Sequence, residues 1–115
     1  MSVDLEDHFC DLPFSSWKNF ESRVVVNTNR LLDLFEKYNT SATFFTLGYI
    51  AEVHPELIEK IVSKGHEIAS HSYTHLDIRN ANKTEFENDL DRSLNVLSKI
   101  ANEKILGFRA PWFSI

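Results

Sequence analysis

The chain has 115 residues, 43% hydrophobic and 25% charged, with a formal net charge of −5 and one cysteine, Cys10. That size and balance suit one globular domain, read as residues 1–115. With no basic stretch there is no footprint for nucleic acid or an anionic membrane, and a lone cysteine supports neither an intrachain disulfide nor a cysteine-rich zinc site.

No segment approaches the roughly 20 apolar residues that cross a bilayer, and Met1-Ser2-Val3-Asp4 does not resemble the basic start of a signal peptide. The default expectation is a soluble, cytoplasmic chain with Cys10 as a packing thiol. Met1–Leu5 reads as the end of a strand running into the acids Asp4, Glu6 and Asp7. From Asp11 to Arg23, Pro13, three serines and the large residues Phe14, Trp17 and Phe20 predict a packed loop. Asn27–Tyr38 carries Leu31, Leu34 and Phe35 at helical spacing, opposite Arg30, Asp33 and Lys37.

Ala42–Leu47, aromatic and β-branched and closed by Gly48, predicts a buried strand. A second helix fits Pro55–Lys64, with Pro55 in its first turn, Leu57, Ile58, Ile61 and Val62 inward, and Gly65 as its stop. Glu67–Ser70 is a short apolar strand. A third helix opens on the capping pattern Thr84-Glu85-Phe86-Glu87 and carries Phe86, Leu90, Leu94, Leu97 and Ala101 in one stripe. Ile105–Arg109 reads as a fourth strand, interrupted at Pro111. The order β-α-β-α-β-α-β implies an α/β fold with parallel strands, in an open sheet or part of a barrel, whose ligands bind at the carboxyl ends of the strands.

On that rim the topology gathers Asp4, Glu6 and Asp7 after strand one, His71 and His75 after strand three, and Arg109 at the end of strand four. Two imidazoles four residues apart, on one face if the segment is a helical turn, can share a divalent cation with a carboxylate. The position after the first histidine is Ser72, so the base that a zincin carries there must come from elsewhere, and Asp4 is the natural choice. Strand alternation would put Asp4 and Glu6 on one face, whereas a turn would present Asp7 instead. Either acid can complete the metal shell. Arg109, a charge at a strand end, calls for a carboxylate partner, read as Asp4. His66, His8 and His54 are read as structural or surface residues.

Ser2-Val3-Asp4-Leu5-Glu6-Asp7, Gly65-His66-Glu67-Ile68-Ala69-Ser70-His71-Ser72-Tyr73-Thr74-His75 and Arg109-Ala110-Pro111-Trp112-Phe113 together resemble three motifs of the polysaccharide deacetylases with a nodulation-type domain, carbohydrate esterase family four. The first motif is most similar to the subgroup associated with bacterial exopolysaccharide gene clusters. The resemblance implies the N-terminal half of a distorted (β/α) barrel that removes N-acetyl groups from a polysaccharide with metal-activated water, usually with zinc. It implies His71 and His75 as ligands with Glu6 or Asp7, Asp4 as base, Arg109 as its support, and the backbone N–H of Trp112 as an oxyanion donor. The family's later motifs, including a histidine that protonates the leaving amine, would lie beyond Ile115. A cyclic-amide or ureide hydrolase of the same superfamily and a non-catalytic carbohydrate-binding module are the rival expectations. An exposed edge beside the fourth strand predicts self-association.

Overall fold

A computed structural model describes residues 1–114. Three four-residue strands, β1 (Ser2–Leu5), β2 (Thr43–Thr46) and β3 (Glu67–Ser70), form a parallel sheet in the order β1-β2-β3. Val3, Phe44 and Ile68 stand in register. The helices are α1 (Val24–Lys37), α2 (Gly48–Val53), α3 (Pro55–Ser63) and α4 (Lys83–Ala101). Phe44 and Ile68 from the sheet pack with Leu32 and Phe35 of α1, Ile58 and Ile61 of α3 and Leu97 of α4 in one core. Each such side chain, fully buried, contributes about 1.5–3 kcal/mol.

Several expectations need correction. Helix α1 begins at Val24, not Asn27, because its first amides find acceptors on Asp7, far away in sequence. Its buried face is Val24, Thr28, Leu32 and Phe35, and Leu34 stays 50% exposed. The six residues of α2 were missed: Gly48 does not only close β2 but starts a helix, its N–H and that of Tyr49 donating to the carbonyls of Ser72 and Tyr73. The loop 11–23 contains a 3-10 helix, Phe14–Asn19, with Trp17 buried.

The cap of α4 is Asn82, whose side chain accepts from Glu85 N–H and donates to the Glu85 carboxylate, so the capping box is 82–85 rather than 84–87. Phe86, Leu90 and Leu94 are only half-buried, and Ser93 is the residue that joins Leu97 and Ala101 inside. Ile105–Arg109 is not a strand. It lies parallel to β3 but pairs only through Ser70 and Phe108, and Leu106, next to the weak strand former Gly107, points to solvent. As expected, Gly65 ends α3 with a left-handed φ of 87°.

Candidate metal and catalytic site

The site lies at the carboxyl ends of the strands. Alternation along β1 turns Asp4 and Glu6 to one side and Leu5 and Asp7 to the other. Beyond β3 the chain places His71 and His75 against Glu6. The Glu6 Oε2 is 2.9 Å from His75 Nε2 and 3.6 Å from His71 Nε2, and one ligand atom from each of these residues lies within 4.8 Å of the others. Both imidazoles are buried. Contrary to the helical-turn expectation, they converge through a loop: Ser72 (φ 66°) and His75 (φ 58°) are both left-handed, each costing roughly 1–2 kcal/mol.

This donor set suits a divalent cation. His71 Nδ1 donates to the Arg109 carbonyl at 2.7 Å, which leaves the Nε2 lone pair directed at the cluster, as outer partners of metal-ligating histidines do. Glu6 Oε2 and His75 Nδ1 are buried atoms without a hydrogen bond. Asp11 Oδ1, 3.6 Å from His75 Nδ1, is the nearest acid to that orphaned nitrogen. Burial raises the Glu6 carboxyl, but His71 and His75 outweigh it and hold it down at about 2. Burial pushes His71 down, yet Glu6, the Arg109 carbonyl and Asp4 together raise it above its ordinary value. A half-buried carboxylate facing two imidazoles thus favours positive charge at the site, carried by a proton or by a cation.

Asp4 stands beside the cluster. Its Oδ1 accepts from Arg109 Nη1 at 2.7 Å and its Oδ2 is 3.9 Å from His71 Nε2. Arg109 also donates to Ser2 Oγ and lies over the Phe45 ring, 4.1 Å from its centroid, so the guanidinium is fixed on three sides. Trp112 closes another side, its ring 4.3 Å from that of His75; it and Phe113 have left-handed backbones in the 3-10 turn Pro111–Phe113.

Asp7 is the clear departure from expectation. Its buried carboxylate accepts from the Ser22 hydroxyl and the N–H groups of Arg23 and Val24, capping α1 on the far side of β1 from the histidines. Of the two acids held open as ligands, geometry brings Glu6 to the imidazoles and sends Asp7 away. His66 Nδ1 accepts from Ala42 N–H, His8 meets the Glu21 carbonyl, and His54 lies by Ser22 and Glu56. Cys10 is buried, and burial, the largest influence, pushes its thiol up to about 12.

Sequence reasoning missed Asp89 and Gly48. Asp89 Oδ1 accepts from Tyr73 N–H at 2.7 Å, and Oδ2 from Thr74 N–H and the Thr74 hydroxyl at 3.2 and 2.7 Å. Its signal was present: 89, 93, 97 and 101 form one i, i+4 row, and an acid and a serine continuing the row of Leu97 and Ala101 mark polar work at the end of a buried face. At Gly48 a Cβ would meet Tyr73 Cδ2 at 2.5 Å, so α2 can approach the histidine loop only because this residue has no side chain.

Comparison with known proteins shows the family and the fold. A family model described as polysaccharide deacetylase matches residues 14–115. A peptidoglycan-N-acetylglucosamine deacetylase of Bacillus cereus is 32% identical over 88 residues, covering 76% of this chain and 32% of the relative. Among solved structures, the peptidoglycan N-acetylglucosamine deacetylase Bc1960 superposes with a TM-score of 0.78 at 27% identity, over 99% of this chain and 46% of that one. A family-four pseudoenzyme from Bacillus anthracis superposes at 0.73 and 26% identity, over 76% of this chain and 31% of that one. The chain therefore spans about a third of the curated relative's length, and its α/β fold corresponds to the N-terminal part of such (β/α)-barrel domains.

Proposed function

We propose, from the premise that this chain belongs to the polysaccharide deacetylase family, that it contributes the metal-binding half of a site that hydrolyses the acetamide of an N-acetylated sugar polymer. The observation that carries this is the convergence of Glu6, His71 and His75 beside the Asp4–Arg109 pair. Glu6 Oε2 and the two Nε2 atoms would hold a divalent cation, zinc being the best match to two imidazoles and one carboxylate. Such a cation polarises the amide carbonyl and lowers the pKa of water.

The chain's own groups do the rest. Arg109 takes one Asp4 oxygen and fixes the carboxylate, whose other oxygen faces the histidines and accepts the proton of the attacking water. The Trp112 N–H donates to the carbonyl oxygen as it gains charge. The C–N bond then breaks to acetate and a free amine. The leaving amine takes up a proton as that bond breaks; by the family resemblance its donor is a histidine of a later motif, and among the described residues His8, His54 and His66 have partners away from the cluster.

The test is metal analysis of the purified chain and of a His71→Ala, His75→Ala double variant, paired with acetate release from N-acetylated oligosaccharides by the full-length protein carrying it. Stoichiometric metal in the wild type only, with acetate released, is expected. Equal metal in both proteins would sink the proposal. The likeness to a pseudoenzyme favours a second reading, a non-catalytic sugar-binding member, which predicts binding of the same oligosaccharides unaffected by chelator and no acetate.

A further inference from the structure

The segment between the two histidines makes almost no structure of its own. Ser72 and His75 sit in left-handed conformations that their side chains disfavour, so something must hold this loop against relaxation. Three outside elements hydrogen-bond its backbone. From β3, Ser70 Oγ accepts from Ser72 N–H at 3.2 Å. From α2, Gly48 N–H and Tyr49 N–H donate to the Ser72 and Tyr73 carbonyls at 2.9 and 3.2 Å. From α4, a single carboxylate accepts from Tyr73 N–H, Thr74 N–H and the Thr74 hydroxyl, while the Tyr73 hydroxyl donates to Glu52 of α2.

We infer that Asp89 is a positioning residue for the cation site: through these three charge-assisted hydrogen bonds it fixes Tyr73 and Thr74, and thereby the separation of His71 and His75. This rests on the reading of Glu6, His71 and His75 as ligands. Its hydrogen bonds are all to loop atoms, so its role is to position the loop rather than to act as a ligand. Hydrogen bonds to an ionised acceptor are roughly twice as strong as neutral ones, and both oxygens are used, so the carboxylate resists rotation and translation alike. Helix α4 spans 19 residues and is seated in the core through Ser93, Leu97 and Ala101, which makes its Asp89 end a rigid anchor. Removing the charge would leave two N–H groups and a hydroxyl poorly paired, and His75 would lose the turn that aims its Nε2 at Glu6.

The experiment compares the wild type with Asp89→Asn, Thr74→Val and, as a core control away from the loop, Ile61→Val. Each is followed by amide hydrogen exchange without metal and by Co2+ titration read from the visible spectrum. Asp89→Asn should speed exchange at Tyr73 and Thr74 and weaken Co2+ binding on the order of 10- to 100-fold, as loss of an outer partner does. Thr74→Val removes one of the three bonds and should weaken it by a few-fold, roughly the effect of one modest hydrogen bond. Ile61→Val should lower the unfolding midpoint and leave Co2+ affinity unchanged.

Unchanged Co2+ affinity in Asp89→Asn, with binding in the wild type, would overturn this inference alone. A wild type that takes up no Co2+ would overturn the ligand reading and this inference with it. Should Asp89→Asn fail to fold, Thr74→Val decides: wild-type affinity and exchange there count against the inference.

Discussion

The division of labour between two neighbouring acids, Glu6 and Asp7, can be tested by a crossed pair of substitutions. Asp7 has a side chain only 1% exposed and caps the first amides of α1, with Arg23 N–H at 3.0 Å and Val24 N–H at 3.4 Å, besides the Ser22 hydroxyl. Asp7→Asn keeps one acceptor oxygen but turns an NH2 toward groups that are themselves donors. Losing the cap and leaving a buried donor unpaired should together cost about 2–4 kcal/mol. For a domain of this size that lowers Tm by roughly 8–15 °C. Glu6→Gln instead removes the one carboxylate that meets both imidazoles. The readout is the rise in Tm on adding metal, about 2.7 kcal/mol at one hundred times Kd. Asp7→Asn should start lower and keep that rise, while Glu6→Gln should lose it. An Asp7→Asn protein of normal stability that no longer responds to metal would refute the assignment.

Gly48→Ala sets a helix-propensity gain of about 0.4–1 kcal/mol against overpacking of about 1–3 kcal/mol, since the new Cβ would meet Tyr73 Cδ2 at 2.5 Å and Ser93 Cα at 3.1 Å. Tyr73 is held by Arg92 over its ring and Glu52 at its hydroxyl, so the clash should win; urea unfolding showing a stabilised protein would contradict this. For pH, the raised His71 value means that, without metal, its contribution to stability is complete below 6.5 and is lost as pH rises through the raised value. Metal needs the deprotonated ring, so affinity should climb through the same window. Thermal melts across pH 5.5–8.5 with and without metal should therefore slope in opposite directions; metal-free stability that rises there would argue against it. Asn82→Ala should cost about 1 kcal/mol as the loss of the true cap, and Thr84→Ala close to nothing, by chemical denaturation.

Much of the fold was legible because local rules and tertiary demands coincided. Pro55 and Gly65 bracket α3, and its inward residues Leu57, Ile58 and Ile61 follow the helical period. Where the partner is remote, the local signal failed. The start of α1 depends on Asp7 and the existence of α2 on the carbonyls of Ser72 and Tyr73, neither of which a window of neighbouring residues contains. The stripe of α4 was shifted because its inner face carries Asp89 and Ser93, polar residues that apolar periodicity passes over.

By itself the sequence determined which residues gather at one rim: βα alternation and parallel pairing put Asp4, Glu6, Asp7, His71 and His75 at the carboxyl ends of the strands, which point the same way, with Arg109 in the segment that bridges to β3. Only the tertiary structure decided which acid meets the imidazoles. Helix α1 presents unpaired amides on one side of β1, and the strand's alternation delivers Asp7 to them and Glu6 to the histidines. It also decided that the histidines converge through a loop. Two left-handed residues are unfavourable alone and become affordable only when α2 and Asp89 of α4 grip the backbone between them.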